Sequence, residues 1–309
     1  MKALITGGAG FLGSALANRL AELGHRVYVL DDLSNGDRSR LNEAVVFTRG
    51  DVCDVPRLWS LLAGVDLVYH LAARVSVPES ILFPVEYNAI NTGGTVSLLS
   101  AARDAGIRRV VFSSSGTVYG QPETLPIQEG SRPWPRNPYA ISKLAAEHYV
   151  RAIGDIYRFE TVILRIFNAY GPGQAAGPSH PPVIPSYLNQ VQAGGSIMLH
   201  GAPAGGQTRD FVYVDDVVEA MVRAGAAGGI SGATLNIGSG VETRIADLVR
   251  AVERATGRNA RVIESPEQSG GVARMCADIR AARETLDWRP AVSLDEGLRR
   301  MLSGRSSST

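Results

Sequence analysis

Cysteine is scarce, and the two present, Cys53 and Cys276, each lack a CxxC neighbour or a paired histidine. Neither a disulfide framework nor a zinc or other metal site is suggested, and a reducing compartment is expected. Long apolar runs are also missing. None approaches the roughly 18 residues of a membrane span, and Met1-Lys2-Ala3-Leu4-Ile5-Thr6 meets a glycine turn too early to act as a signal peptide. A cytoplasmic location without a membrane partner is the expectation. Charge of one sign is absent too: 31 basic and 30 acidic residues leave +1. That excludes the positive field that non-specific nucleic-acid binding requires. Internal repeats and low-complexity segments are absent as well.

What remains is an ordinary globular composition, 45% hydrophobic and 20% charged, in a chain of 309 residues, long enough for two lobes. Glycine alone is in excess, with 34 residues against the usual ~7%, many placed after apolar runs where tight turns would lie. In the first half short β-branched runs at 2–6, 26–30, 45–48, 67–71, 109–113 and 160–165 alternate with helical periods such as 11–23, 91–105 and 139–154. Alternation of this kind predicts an α/β fold, a doubly wound parallel sheet with helices on both faces. Beyond Asn168 the prolines at 172, 178, 181, 182 and 185 argue against regular elements. Residues 1–168 are expected to form one lobe and 169–309 mainly a smaller second one. Strand-like segments at 209–214 and 234–237 are expected to return to the main sheet, so that the lobes interleave.

Chemistry begins at Thr6-Gly7-Gly8-Ala9-Gly10-Phe11-Leu12-Gly13. Gly7, Gly10 and Gly13, between a predicted strand and a predicted helix, would let the backbone turn tightly and bring amides to a pyrophosphate at the positive helix end. Asp31 and Asp32 end the second strand where a ribose 2′-hydroxyl would sit, and an acid there repels a 2′-phosphate, which favours NAD over NADP. The other reading of that pair is a solvated turn. Asp51 and Val52, after the third strand, suit an adenine edge. Leu71, Ala72 and Ala73 follow His70 with small side chains that admit a flat cofactor, whereas His70 itself reads as a buried, hydrogen-bonded residue without a proton-transfer role.

Ser113-Ser114-Ser115 and Tyr139-Ala140-Ile141-Ser142-Lys143 supply the reactive groups. Tyrosine and lysine four apart share a helix face, so a nearby ammonium is expected to lower the phenol from its usual value of about 10 and make Tyr139 a usable base. Ser115 can then hydrogen-bond the reacting oxygen.

These motifs resemble the extended short-chain dehydrogenase/reductases, specifically the nucleotide-sugar epimerase and dehydratase family. The resemblance runs from Lys2 to about Pro290. It is carried by the glycine turn, Asp31-Asp32-Leu33-Ser34-Asn35-Gly36, His70 to Ala73, Asn91, Ser113 to Gly120, Tyr139 with Lys143, Arg165 to Pro172, and Arg209-Asp210-Phe211. It implies a Rossmann lobe binding NAD, with Phe11, Leu12, Ser34, Asn35, Gly36, Asn91, Ser113 and Ile166 added to the cofactor site. It also implies a homodimer built through helices of that lobe. The closest likeness is to the 4-epimerase branch, acting on UDP-glucose and UDP-galactose. Dehydratases and decarboxylases carry acids just before the Val-Tyr-Gly, and here those positions are Gly116 and Thr117. A 4-epimerase would use Ser115, Tyr139 and Lys143: Tyr139 takes the proton from the hydroxyl on carbon 4 while hydride passes to NAD, and hydride returns to the other face of the 4-ketose. A UDP-hexuronate 4-epimerase, another nucleotide-sugar dehydratase or decarboxylase, and a non-catalytic NAD-binding scaffold are the alternatives.

For the substrate lobe the resemblance implies Asn168 and Arg209 at the diphosphate, and Val183, Met198 and His200 around the base. Two departures stand out. Pro182 replaces a frequent asparagine, and Gln268-Ser269-Gly270-Gly271 replaces a segment that commonly reads Arg-x-Gly-Asp, with Arg274 as the possible substitute for its arginine. Met275 falls where the family gates the sugar's 2-substituent, core filling being the other reading.

Overall fold

Along β1 (Lys2–Thr6) successive side chains go to opposite cores, Ala3 and Ile5 to one and Leu4 to the other. This is the strand alternation that a sheet covered on both faces demands. The structure, a computed structural model, describes residues 1–174, 182–200, 206–265 and 272–306, with the backbone alone for His200 and 304–306.

After β1 come α1 (Phe11–Glu22), β2 (Arg26–Asp31), β3 (Val46–Arg49), α2 (Val55–Leu62), β4 (Leu67–His70), α3 (Val77–Leu82), α4 (Pro84–Asn88), α5 (Gly94–Ala105), β5 (Arg109–Ser115), α6 (Pro138–Tyr157) and β6 (Glu160–Ile166). The second half adds β7 (Asn168–Tyr170), α7 (Val183–Gln192), β8 (Ser196–His200), β9 (Thr208–Arg209), β10 (Phe211–Tyr213), α8 (Val214–Ala226), β11 (Thr234–Ile237), β12 (Thr243–Arg244), α9 (Ile245–Thr256), β13 (Arg261–Ser265), α10 (Arg280–Leu286) and α11 (Leu294–Ser306). One seven-stranded parallel sheet runs in the order β11-β6-β5-β4-β1-β2-β3. Side chains of α1 and α8 fill the core on one face, and those of α2, α5 and α6 the core on the other. The strand order reverses between β4 and β1, and such a switch point opens a crevice at the carboxyl ends of the strands.

Three expectations need correction. Segment 209–214 does not join the main sheet: β9 pairs with β12 and β10 with β7, whereas 234–237 does join it as β11. The cause is Asp210, whose buried carboxylate accepts from Ser239 N and Oγ (both 2.6 Å), Gly240 N (3.0 Å) and Ala277 N (3.0 Å), turning the chain away between the two short strands. The proline-rich stretch nevertheless holds α7, because Pro185 stands in its first turn, where an amide has no intrahelical acceptor to lose. Helix 91–105 begins two residues early, with a wide turn at Ala89–Gly93. There Gly94 lets the chain close on Val52, since a Cβ on it would lie 2.5 Å from Val52 Cγ1.

Among the described residues no helix is long and apolar enough to cross a membrane.

Candidate active site

The turn after β1 is sterically fixed. Gly7 has φ +70°, and a Cβ there would lie 2.6 Å from Ala72 N, so the loop that follows β4 rests directly on it. A side chain on Gly13 would run into the Gly7 carbonyl oxygen. Gly10 precedes α1 without a side-chain cap, which leaves the first-turn amides of Phe11, Leu12 and Gly13 without an intrahelical or capping acceptor. Ala72 N also donates weakly to Thr6 Oγ1 (3.4 Å), and Leu71 N donates to Thr6 O (3.0 Å). Leu71, Ala72 and Ala73 are half-buried.

Asp31 and Asp32 part company. Asp31 is buried and accepts from Ala9 N (2.9 Å) and Leu33 N (2.8 Å), which fastens the glycine turn to the loop of Ser34, Asn35 and Gly36. Burial pushes its carboxyl up and these amides oppose it. With the Gly10 amide also directed at it, the carboxylate still has lone-pair capacity to accept from a ribose hydroxyl. Asp32 is exposed and receives Ser34 N (2.8 Å), the solvated turn of the alternative reading. Asp51 is exposed and caps Cys53 N (2.8 Å), with Val52 buried beside it.

Three elements assemble the reactive groups. Ser115 ends β5 opposite Ile166 of β6, two residues after half-buried Ser113. Tyr139 and Lys143 lie in the first turns of α6, which Asn137 caps by accepting from Ala140 N. All three are nearly buried. The Tyr139 ring stands edge-on to Tyr87, centroids 6.5 Å apart. Burial pushes the phenol up, and the facing Ser115 hydroxyl pulls it back. The lowering expected from Lys143 is not found at the phenol. Its ammonium sits 4.4 Å from the centroid of the Phe112 ring, and burial brings it down to about 7 against the attraction of Glu147. Beside Ser115, Thr117 donates from N (3.2 Å) and Oγ1 (2.9 Å) to the serine oxygen, while Gly116 faces the Phe167 ring.

His70 and Asn91 shape the site from behind. The His70 ring nitrogens meet Thr6 Oγ1 at 2.7 Å and Thr95 Oγ1 at 2.8 Å, and burial pushes the imidazole down to about 3, so it stays neutral. The Asn91 amide accepts from Arg74 N (2.8 Å) and donates to Arg74 O (3.0 Å) and Ser142 Oγ (3.0 Å), clamping the chain after Ala73 to α6. Glu147, which no motif in the sequence marks, forms a buried ion pair with Arg165 and accepts from Ser114 beside this cluster.

The expected substrate residues are more scattered. Asn168 is exposed on β7, with its backbone amide bound to Asp210 O (3.0 Å). Arg209 donates to Thr208 O (2.7 Å) and Gln207 Oε1 (3.3 Å) and meets no carboxylate among the described residues. Arg274 is already held: Nε and Nη2 both reach Glu242 at 2.7 Å. Met275 is buried in the core, its amide 3.3 Å from Thr208 Oγ1. Val183 opens α7, and Met198 is half-exposed on β8. The His200 side chain and the segment 268–271 lie outside the described residues.

The residues present fit NAD. A side-chain-free turn at a helix N-terminus suits a pyrophosphate, Asp31 keeps acceptor capacity for a ribose, and the Lys143 ammonium has no hydrogen-bond acceptor among the described residues. Comparison with known proteins points the same way. The model of the NAD dependent epimerase/dehydratase family matches residues 3–238. A UDP-glucose 4-epimerase of Mycolicibacterium smegmatis is 39% identical over 310 residues, 96% of each chain. The structure of a UDP-glucose 4-epimerase from Thermotoga maritima with UDP-glucose superposes with a TM-score of 0.95 at 32% identity, covering 100% of this chain and 99% of that one. One from Thermus thermophilus in complex with NAD gives 0.92 at 32% identity, with 100% of both chains covered. The likeness runs along the whole length of a chain that carries a glycine turn only an unsubstituted backbone can make and a serine, a tyrosine and a lysine at the carboxyl end of the same sheet, and the chain belongs to the NAD-dependent epimerase/dehydratase family.

Proposed function

We propose that the chain is an NAD-dependent 4-epimerase of a nucleoside-diphosphate sugar, interconverting UDP-glucose and UDP-galactose. The observation that carries this reading is the surroundings of Ser115 and Tyr139. A buried phenol faces a serine hydroxyl, and the two residues after that serine, Gly116 and Thr117, offer no carboxyl for eliminating water. The curated and structural relatives named above are 4-epimerases.

NAD bound in the crevice would supply a hydride acceptor and donor at sugar carbon 4. The Gly7, Gly10 and Gly13 turn with Phe11 and Leu12 would hold its pyrophosphate, and Asp31 a ribose. Asp51 and Val52 would flank the adenine, with Leu71 to Ala73, Ser113 and Ile166 lining the nicotinamide end, where Lys143 would donate to the ribose hydroxyls. The chain's own work is proton handling. Tyr139 Oη accepts the proton of the carbon 4 hydroxyl and later returns it, while Ser115 Oγ orients that oxygen and favours the phenolate. Arg209, lacking an acid partner among the described residues, and exposed Asn168 would meet the diphosphate, and Val183, Met198 and His200 the base. On this division residues 1–168, with the returning strand β11, hold NAD, and 169–309 mainly hold the sugar nucleotide.

A homodimer fits α6, whose exposed face presents Ile141, Tyr149, Ala152 and Ile156, with half-buried Ala145 in the same stripe. Such an apolar stripe beside the small residues of α5 suits close helix packing. Both cysteines are free thiols, in keeping with the cytoplasmic location expected.

Incubation with UDP-glucose, UDP-galactose, their N-acetylated forms and a UDP-hexuronate, followed by chromatography and proton NMR, tests the reading. Inversion at carbon 4 without net consumption of NAD is expected, and a 4-keto-6-deoxy or decarboxylated product would overturn it.

A further inference from the structure

Glu147 lies on α6 one turn beyond Lys143 and two beyond Tyr139, and none of it reaches solvent. Its carboxylate collects four donors. Oε1 accepts from Ser114 Oγ at 2.5 Å and Arg165 Nε at 2.9 Å, and Oε2 from Arg165 Nη2 at 2.7 Å and Arg151 Nη2 at 3.2 Å. One side chain thereby fastens α6 to β5 and β6 at the level where Ser115 meets Tyr139. A buried ion pair used only for fastening can often be exchanged for apolar residues. Here a second, buried charge stands beside it.

Lys143 is enclosed, and what encloses it is almost wholly neutral. Phe112 of β5 offers a ring face, and His70 of β4, near enough to feel its charge, an imidazole whose nitrogens both meet threonine hydroxyls; Asn91 and Thr92, in the turn before α5, bond to Ser142, the residue before Lys143. Glu147 is the carboxylate that acts on the ammonium, with the cations Arg165 and Arg151 bound to that same carboxylate. Of the 31 basic side chains in the chain only Lys2 and Lys143 are lysines. Everywhere else arginine serves, so this position uses the compact cation that can lose its proton when buried.

We propose that Glu147 is a positioning residue of the reactive cluster, keeping Lys143 in its ammonium form near neutral pH and holding Ser115 in register with α6 through Ser114. Burial works most strongly against ionising Glu147, yet Arg165, Ser114 and Arg151 together hold its carboxyl below the usual value, so the charge is available. Burial likewise brings Lys143 down to about 7, and the carboxylate opposes the fall. Without it, Lys143 would be a neutral amine at physiological pH and a poorer donor to a ribose. The inference rests on the role proposed for Lys143 above.

Two lysines make the test direct. Protein labelled with carbon-13 at lysine Cε gives two resonances, Lys2 serving as internal reference, and the pH midpoint of Lys143 can be followed without sugar or turnover. An outcome here is therefore independent of whether the epimerase reading survives. Glu147→Gln should lower the midpoint by one pH unit or more, a tenfold loss of proton affinity. Arg151→Met, which removes the less buried cation and leaves Arg165 to keep the carboxylate ionised, should raise it. Opposite signs are the signature of charge, because a merely structural disturbance would move both variants alike. Ser114→Ala, which keeps both charges, should leave the midpoint in place. Should Glu147→Gln not fold around an unpaired Arg165, the double variant Glu147→Gln/Arg165→Met leaves a neutral pair, and its midpoint should still fall because the carboxylate that acts on Lys143 is lost. A midpoint within 0.3 units of wild type in the variant lacking Glu147, or a shift of equal size in Ser114→Ala, would overturn the proposal.

Discussion

Arg274 grips Glu242 through two nitrogens at 2.7 Å each, and Thr208 Oγ1 donates to the same carboxylate at 2.6 Å. The cation expected to replace the missing diphosphate arginine therefore has an acid of its own, whereas Arg209 has none among the described residues. Arg209→Met should raise KM for the nucleotide sugar about 10- to 100-fold, the range of one or two charge-assisted hydrogen bonds. Arg274→Met should change it less than about threefold, since an exposed pair contributes little. Steady-state kinetics on both variants check the order, and a larger effect at Arg274 would move the diphosphate contact there.

Tyr139→Phe keeps the edge-on packing against Tyr87 and removes only the phenol oxygen. Turnover should fall by roughly 100-fold or more, the scale of a lost general base, with unchanged thermal unfolding. Ser115→Ala should cost less but leave a pH signature. The hydroxyl favours phenolate, so its loss raises the phenol further, and the acidic limb of the rate profile should move to higher pH. Near-normal turnover in Tyr139→Phe would remove the assignment.

The sheet was legible because parallel strands buried on both faces are short apolar runs between helices, and six of its seven strands follow that pattern in the first half. Where polar residues continue a strand the pattern hides it. β5 runs on through Ser114 and Ser115 because these pair with Arg165 and Ile166 of β6. The site was legible wherever chemistry sits in a local motif, as at Gly7 to Gly13 or Tyr139 with Lys143. It was not legible where partners meet only through the fold. Glu147 reads as one more acid on a helix, Arg165 as an oddity in an apolar strand, and Asp210 as a neighbour of Arg209, until packing brings their hydrogen bonds together.

Met275, buried at 4% exposure, tests a gate against a core filler. As a gate, Met275→Ser should shift the ratio of specificity constants toward N-acetylhexosamine substrates, and Met275→Tyr away from them. As filler, serine should cost stability, about 2–5 kcal/mol on the scale of buried truncations, without touching preference. Ratios that move less than about threefold, ~0.7 kcal/mol of differential transition-state binding, together with lowered stability would retire the gate.

The proposed dimer predicts a mass in solution twice the 32.8 kDa of one chain. Ala145→Arg, in the middle of the exposed α6 stripe and pointing away from Lys143 and Glu147, should yield monomers. Light scattering at micromolar concentration decides, and a monomeric wild type would remove the helix-pair interface.

His70 should write itself into the pH dependence of stability. Folded, it stays neutral down to about 3. Unfolded, it takes up a proton near 6.5. Between those values the unfolded chain binds the extra proton, so stability is intact above about 6.5 and is lost as pH falls toward 3, by up to on the order of 4 kcal/mol. His70→Gln has no such proton to bind. Its urea midpoint is expected to start lower at pH 7.5, because the bonds to Thr6 and Thr95 are disturbed, but to decline less steeply toward pH 4 than that of wild type. Carboxylates titrate alike in both proteins, so the difference in slope isolates the imidazole. Equal slopes would mean that His70 protonates within the folded chain. A second cation would then stand beside Lys143, which the enclosure of that ammonium by Phe112 and neutral hydrogen-bonding groups is built to avoid.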